Sequence, residues 1–245
     1  MNIGLIGYGA FGEFLAKVLV KYGNIYVYDE AGIDKPLPNR IIKSSLEEAA
    51  SCQVIIIATS LSAMPSACEQ LAKFVKPETI VMDVCSVKTK PVQIMKQHLG
   101  GKCQLIATHP LFGPQTVQGT NLAGQKIVVY PIEVKNYSQL QMLLRDFLRL
   151  EIIEMDPDEH DKQVAWIHAL TFFAGRGLLS MDLPKNSQLA TGYYQKLLEL
   201  VELERSHTVE LFETIEQGNP YAAEVRDKFI KVLQDLNQGL KEENE

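Results

Sequence analysis

The chain has 245 residues, of which 46% are hydrophobic and 22% are charged, and its formal net charge is −6. This length allows two domains of modest size. An acidic chain without a block of Lys and Arg lacks the basic surface that nucleic-acid-binding proteins use, so we expect no nucleic-acid partner.

No apolar run approaches the roughly 20 residues of a membrane-spanning helix, and no secretory signal precedes the first apolar segment. We therefore expect a cytoplasmic protein with no membrane segment. The spacing of the four cysteines fits neither a zinc site nor a disulfide framework, which predicts free thiols and no bound metal. They are Cys52, Cys68, Cys85 and Cys103.

A glycine-rich turn follows the first apolar segment. Residues 3–6 predict a buried strand, and the pattern G-x-G-x-x-G follows at once, before a helical segment. In such a turn Gly7 permits the tight bend, Gly9 leaves room for a pyrophosphate, and Gly12 lets helix and strand pack closely. The predicted cofactor contacts here are Gly7, Gly9, Ala10, Phe11 and Gly12.

A second predicted strand, residues 24–28, ends at Asp29, about 20 residues after the glycines, where a carboxylate can hold the ribose hydroxyls of NAD. The charges of Asp29 and Glu30 would repel a 2′-phosphate, so the sequence predicts NAD over NADP. A glycine-rich turn without a ligand is the structural alternative. The turn's position between strand and helix and the acidic residue after the second strand favour the nucleotide site.

Apolar strands and helices then alternate as far as residue 156, which predicts an α/β fold with a doubly wound parallel sheet. Beyond Pro157 the apolar spacing is helical throughout, with helices predicted at 159–182, 190–216 and 219–241. We therefore predict a dinucleotide-binding domain at 1–156 and a helical domain at 157–245. Because about 85 helical residues bury little apolar surface alone, we expect the helical domain to form a homodimer.

Polar residues at the predicted strand ends are the candidates for chemistry. Ligands of such sheets sit at the carboxyl ends of the strands, which favours cofactor contacts from Thr59 and Ser60. His109, after the strand at 104–108, could take a proton from a substrate hydroxyl. Ser86 could bond the same hydroxyl or orient the imidazole. The structural alternatives are a histidine that ends a strand and a serine that caps a helix.

Three cationic side chains are further candidates for ligand binding. Lys88 could bind a phosphate or carboxylate, although a solvated lysine is commoner. Arg176 follows two phenylalanines and a glycine, and a guanidinium beside apolar neighbours suits an organic carboxylate. Arg205 lies among glutamates and fits an exposed ion pair.

Several motifs occur together along nearly the whole chain. They are the glycine-rich segment from Ile3 to Leu19, D-V-C-S-V-K at 83–88, A-T-H-P-L-F-G-P at 107–114 and E-H-D at 159–161. This combination resembles the prephenate and arogenate dehydrogenases of tyrosine biosynthesis, and the helical segments at 175–176 and 194–202 are similar to plant arogenate dehydrogenases.

The resemblance implies NAD-dependent oxidative decarboxylation of prephenate to 4-hydroxyphenylpyruvate, or of arogenate to tyrosine. It implies that His109 is the base toward the ring hydroxyl, that Ser86 assists it, and that the helical domain forms the dimer and closes the substrate site.

The chain departs from the family pattern at positions associated with the substrate. Gln115 stands where an acidic residue is common, and Leu203 and Phe172 stand where bacterial members carry a substrate-binding arginine or histidine. His207 stands where an aspartate is associated with arogenate preference. Arg176 is then the first candidate for the substrate carboxylate, and Arg205 is the second.

Because Gln115 and His207 both remove negative charge, we expect prephenate to be preferred, unless Glu204 or Glu210 turns inward. Two other functions stay open, namely a nucleotide-binding sensor without turnover and a dehydrogenase of another hydroxy acid.

Overall fold

The computed structural model describes residues 2–117, 119–135, 137–185 and 187–242. They fall into two compact units, the first ending at Pro157 and the second beginning at Asp158. The first unit contains a sheet with helices, and the second is helical.

The first unit is built on an eight-stranded sheet with strand order β3-β2-β1-β4-β5-β6-β7-β8. The strands are β1 (Asn2–Ile6), β2 (Asn24–Tyr28), β3 (Ile41–Lys43), β4 (Val54–Ile57), β5 (Ile80–Asp83), β6 (Gln104–Pro110), β7 (Lys126–Glu133) and β8 (Glu151–Glu154). The connecting helices are α1 (Ala10–Leu19), α2 (Leu46–Ala50), α3 (Met64–Leu71), α4 (Thr89–Leu99) and α5 (Tyr137–Met142), the last continued by a π-helical turn, Leu143–Phe147. The α/β class predicted from the alternation of strands and helices is confirmed.

The sheet is parallel from β3 to β6, whereas β7 runs antiparallel to β6 and parallel to β8. The predicted parallel sheet therefore describes most of the strands, and β7 and β8 at one edge run in the opposite direction. Parallel neighbours require a crossover, usually through a helix. The described residues between Pro110 and Lys126 contain no helix, and the chain returns directly beside β6.

The core lies on both faces of the sheet, because alternate strand residues point to opposite sides. Val54 and Ile56 pack in the same cluster as Phe14 of α1, and Ile55 and Ile57 pack in the cluster that contains Met95 of α4. The uninterrupted apolar run of β4 follows from this burial on both faces.

The second unit consists of helices, with a longer connection between Leu179 and Gly192. They are α6 (Pro157–Val164), which begins at the boundary, a π-helical segment (Ala165–Ala169), α7 (Leu170–Leu179), α8 (Gly192–Ser206), α9 (Val209–Gly218) and α10 (Ala222–Glu242). The single helix predicted at 190–216 breaks at His207, because Thr208 caps a new helix by accepting a hydrogen bond from the Leu211 N–H. Within the described ranges, no helix has both the length and the apolar character needed to cross a membrane.

Candidate active site

The turn between β1 and α1 has the geometry expected of a phosphate-binding loop. Gly7 has φ +101°, and a Cβ there would lie 2.6 Å from the carbonyl oxygen of Ala58. A Cβ on Gly12 would overlap the Gly7 carbonyl, whereas a Cβ on Gly9 would meet no described atom within 4 Å. Gly9 is the N-cap of α1, and Ala10 and Phe11 begin the helix. The first N–H groups of α1, which lack partners within the helix, therefore lie next to the least obstructed glycine.

Asp29 lies directly after β2 and is tied to this turn. One carboxylate oxygen accepts a hydrogen bond from the Tyr8 N–H at 2.6 Å, and the other accepts one from the Ala31 N–H at 2.9 Å. The carboxylate is therefore held beside the glycines, in the place where ribose hydroxyls would need an acceptor.

Thr59 and Ser60, which follow β4, differ in how their hydroxyls are used. The Ser60 hydroxyl lies 3.0 Å from the Ser62 hydroxyl and accepts a hydrogen bond from the Ala63 N–H, so it stabilises the turn before α3. The Thr59 hydroxyl is buried and has no hydrogen-bond partner among the described residues. Buried polar groups are rarely left unpaired, so of these two hydroxyls Thr59 is the one with an unused bond to offer a ligand.

Adjacent strands bring these residues to one edge of the sheet. The Gly7 N–H donates to the carbonyl of Tyr28 at 2.8 Å, and the Ala58 N–H donates to the carbonyl of Ile6 at 2.7 Å. These hydrogen bonds join the carboxyl ends of β2, β1 and β4. Strands β5 and β6 run parallel to β4, so their carboxyl ends lie at the same edge of the sheet. Ser86 and His109 belong to this same edge.

His109 lies within β6, one residue before its end, and is 4% exposed. It is paired with Val128 of antiparallel β7, so the imidazole is carried by a strand and not by the loop that the sequence suggested. Ser86 lies in the loop between β5 and α4 and is half-buried. The N-cap of α4 is Lys88, so capping this helix is not the role of Ser86.

The loop after His109 is anchored to the first helix. Phe112 is buried, and its ring meets that of Phe14 in α1 edge to face, with centroids 6.3 Å apart. Gln115 lies further along on an exposed turn. The glycine-rich helix and the segment that follows His109 are therefore parts of one packed cluster.

Lys88 is buried, and neither sequence interpretation of it matches its environment. Its ammonium group forms an ion pair with Asp83, and both side chains are 1% exposed. Because the ammonium is enclosed, Lys88 is neither a solvated cation nor an open phosphate contact.

In the second unit a charged cluster surrounds the buried carboxylate of Glu204, which is 2% exposed. Arg176 lies 2.8 Å from one carboxylate oxygen and His207 lies 3.2 Å from the other. The His207 ring stacks on Phe172 with centroids 4.5 Å apart and an interplanar angle of 1°, and the Arg176 guanidinium lies over Phe212. Glu204 thus turns inward, and an inward glutamate is the arrangement that would favour arogenate over prephenate.

Arg205 lies in a different environment. It is half exposed and pairs with the exposed Glu202 three residues earlier, at 3.4 Å. Such surface pairs contribute little and hold no fixed geometry. Of the two arginines, Arg176 is the one held in an apolar, charge-paired setting.

A second polar group of the helical unit lies near the start of α6. His160 and Asp161 are buried and 2.8 Å apart, and the Asn219 amide donates to the backbone carbonyl of Asp161. Burial, with the nearby His160, lowers the pKa of His168, which lies in the π-helical segment. His160 and Asp161 of the E-H-D motif are therefore part of the interior, whereas Glu159 is exposed.

Comparison with known proteins agrees with this geometry. The family described as "Prephenate dehydrogenase, nucleotide-binding domain" matches residues 38–151. Arogenate dehydrogenase 1, chloroplastic, of Arabidopsis thaliana is 28% identical over 98% of this chain. A Methanocaldococcus jannaschii protein, named a probable arogenate/prephenate dehydrogenase, is 24% identical over 98% of the chain.

The chain is similar to the prephenate and arogenate dehydrogenases over nearly its whole length.

A crystal structure of prephenate dehydrogenase from A. aeolicus, in complex with hydroxyphenyl propionate and NAD+, has the same fold. Its TM-score is 0.72 at 20% identity, with 99% of this chain and 91% of that chain covered. The chain spans 39% of the Arabidopsis relative and 57% of the archaeal one, so it matches a part of each. The fold match to the crystal structure includes both the sheet and the helical region.

Sequence reasoning missed one feature in each unit. The first is the Asp83–Lys88 pair, which a spacing of five residues around Ser86 could have indicated. The second is the inward side chain of Glu204, since a glutamate among charged residues on a helix is ordinarily solvated. Its neighbours Val201 and Leu200 gave a partial apolar signal, and Gly175 supplies the space: a Cβ there would lie 3.3 Å from the Cβ of Glu204.

Proposed function

We propose that this chain is an NAD-dependent dehydrogenase that converts prephenate to 4-hydroxyphenylpyruvate by oxidative decarboxylation, in tyrosine biosynthesis. Residues 1–156 would bind the dinucleotide, and residues 157–245 would serve substrate binding and dimerisation. The observation that carries the proposal is the position of His109 on the same sheet edge as the glycine-rich turn and Asp29. The similarity to prephenate and arogenate dehydrogenases supports it.

The residues of the first unit fit the cofactor. The open space at Gly9 would receive the pyrophosphate, the Asp29 carboxylate would accept the ribose hydroxyls, and Thr59 would donate its unused hydroxyl. Ala10, Phe11, Gly12 and Ser60 would shape the same cradle. When bound, NAD would supply the hydride acceptor.

His109 would act as the general base. A neutral imidazole can accept the proton of the ring hydroxyl while hydride leaves the same carbon, and its enclosure by β7 would hold it in one orientation. Ser86 would bond the same hydroxyl or the imidazole. Loss of carbon dioxide then aromatises the ring, which makes the reaction effectively irreversible.

Arg176 is proposed to bind a substrate carboxylate, with Gln115, His207 and Arg205 as further substrate contacts. Prephenate carries a keto acid and arogenate an ammonium group, so their discrimination depends on negative charge near the side chain. Arg176 and His207 already flank the inward Glu204 carboxylate. Because this carboxylate already has partners, it is less available to the ammonium group of arogenate, which favours prephenate. Arogenate is the second candidate because Glu204 is a buried carboxylate that could pair with an ammonium.

The experiment is an assay of NADH formation with each compound at one NAD concentration. We expect kcat/KM to be higher for prephenate. A preference for arogenate above about tenfold, equal to roughly 1.4 kcal/mol of transition-state binding, would reverse the choice. Binding of NAD without turnover of either compound would favour a nucleotide-binding sensor. Oxidation of another hydroxy acid, but of neither prephenate nor arogenate, would favour a dehydrogenase of a different substrate.

The His109→Asn variant tests the catalytic assignment. We expect kcat to fall by about 10²–10⁴-fold while NAD affinity is retained, as for loss of a positioned general base. Wild-type activity should fall on the acid side as the imidazole becomes protonated. A variant with nearly full activity would remove His109 from the mechanism.

We also propose a homodimer in the cytoplasm. The helical unit has a small buried apolar cluster around Ala169, Ile215 and Ala222, and α10 leaves large apolar side chains in contact with solvent. The four cysteines are free thiols, as in proteins of reducing compartments.

A further inference from the structure

The buried Asp83–Lys88 ion pair has no part in the proton and hydride transfers described above, yet it connects the two segments that carry Ser86 and His109. Charged side chains are almost never fully buried unless they are paired. Here both are 1% exposed, in the interior at the carboxyl end of β5.

The pair extends the connection between β5 and β6 beyond the backbone ladder, whose register runs to Met82 and Ile106. Past this point the Asp83 carboxylate accepts a hydrogen bond from the Thr108 N–H at 3.1 Å, and the Thr108 hydroxyl donates to the carbonyl of Asp83. The ammonium of Lys88 also donates to the carbonyl of Thr108. The residue directly before His109 is thus held by its N–H, its hydroxyl and its carbonyl.

The same pair closes the loop that carries Ser86. Asp83 ends β5, Lys88 is the N-cap of α4, and Ser86 lies between them. The second carboxylate oxygen of Asp83 accepts a hydrogen bond from the Cys85 N–H at 2.9 Å. The two ends of the loop are therefore joined through one carboxylate and one ammonium.

We propose that Lys88 is a positioning residue that, through Asp83 and Thr108, sets the relative position of His109 and Ser86; this rests on the proposed function. A buried ion pair is a poor source of stability, because apolar residues of similar volume often stabilise a fold as well or better. Directional bonds instead fix the position of the Ser86 loop relative to the end of β6 that carries His109. Apolar packing alone would restrain this position less strictly.

The test compares Lys88→Met with the double variant Asp83→Asn/Lys88→Met, which leaves no unpaired buried charge if the single variant does not fold. In the folded variant we expect kcat to fall by about 10²-fold, the usual effect of a misplacement near 1 Å, while KM for NAD changes by less than about threefold. Full activity in the double variant would overturn the proposal.

The matched control is Arg226→Met, which removes the cation from the partly buried Glu216–Arg226 pair of the helical unit. We expect it to lower thermal stability without a comparable loss of kcat. If Arg226→Met lost as much kcat as the Lys88 variants, the loss would be explained by reduced stability, and the positioning role of Lys88 would be overturned.

Combination with His109→Asn separates positioning from general damage. If Lys88 acts through His109, the double Asp83→Asn/Lys88→Met change should lower the residual activity of His109→Asn by less than about threefold, because sites that act as a unit are non-additive. A further 10²-fold loss in that background would contradict the proposal.

A measurement on the protein without substrate keeps the inference separate from the proposed function. The imidazole NMR signals of His109, identified by their absence in His109→Asn, should shift or broaden in the double variant while those of His207 stay in place. Unchanged His109 signals would overturn the inference even if wild-type protein oxidises neither compound, and absence of such oxidation would by itself reject only the proposed function.

Discussion

Three glycines of one turn meet different surroundings, which separates their roles in folding from their role in binding. Gly7 and Gly12 lie against backbone atoms, whereas Gly9 faces open space. A methyl group on Gly12 must displace the chain, while a methyl group on Gly9 is accommodated until a ligand arrives.

We predict that Gly9→Ala retains the thermal stability of the wild type within a few degrees but raises the dissociation constant of NAD by about tenfold or more, about 1.4 kcal/mol. Gly12→Ala should instead destabilise the fold by about 1–3 kcal/mol, as overpacking does. Calorimetry of ligand binding and thermal unfolding of both variants check this. Equal stability losses would contradict the assignment of Gly9 to the ligand.

The carboxylate of Asp29 is the predicted source of cofactor preference. We predict that Asp29→Ser narrows the ratio of kcat/KM for NAD over NADP by about tenfold, since the charge facing a 2′-phosphate is removed. NAD affinity should also decline, because Asp29 holds the Tyr8 and Ala31 N–H groups. The matched control is Glu78→Gln, at an exposed position before β5 at the opposite end of the sheet, which should leave the ratio unchanged. Comparable use of both cofactors by the wild type would contradict the prediction.

At the scale of elements, α9 and α10 are joined by a partly enclosed ion pair. Glu216 is 5% exposed and pairs with Arg226, which also donates to the backbone carbonyl of Glu216. Burial raises the pKa of the Glu216 carboxyl, an effect that Arg226 partly opposes. The folded protein therefore holds this proton more tightly than the unfolded chain.

The sign of the linked stability follows. Protonation of Glu216 increases the free energy of unfolding. This contribution is complete below the ordinary carboxyl pKa of 4.5 and is lost as pH rises through the raised pKa of the folded state. We predict that the unfolding temperature of Glu216→Gln increases relative to the wild type between about pH 4 and pH 7. Thermal unfolding at several pH values measures this, with the exposed Glu213→Gln as control; parallel curves would contradict it.

At the scale of the whole molecule, α10 exposes an apolar stripe. Val232, Leu233, Leu236 and Leu240 are between 48% and 63% exposed and recur at helical spacing. Scattered apolar residues are ordinary on a surface, but a continuous stripe marks an interaction site.

We predict that the wild type is a dimer at micromolar concentration and that Leu236→Glu shifts it to monomer, because a carboxylate is then placed in the apolar contact. The control is Gln234→Glu, at an exposed position about 160° from Leu236 around the same helix, and it should remain dimeric. Light scattering measures both. A monomeric wild type would reject the proposed dimer.

Local chemistry in the sequence was sufficient for much of the first unit. The apolar runs, the glycine pattern and the acidic residue after β2 each depend on neighbours along the chain. They indicated the sheet, the turn between β1 and α1 and the sheet edge at which ligands are proposed to bind. The direction of β7 could not be predicted in this way, because it depends on how the chain between β6 and β7 returns to the sheet.

The amino-acid sequence by itself determined the α/β class, the helical character of the second part and the residues that could carry chemistry, because these follow from periodicity and from side-chain type. Tertiary structure alone decided that Lys88 is enclosed with Asp83 and that Glu204 turns inward between Arg176 and His207. The physical reason is that the environment of a charged side chain is set by segments distant in sequence, which supply the counter-charge and the space that make its burial tolerable.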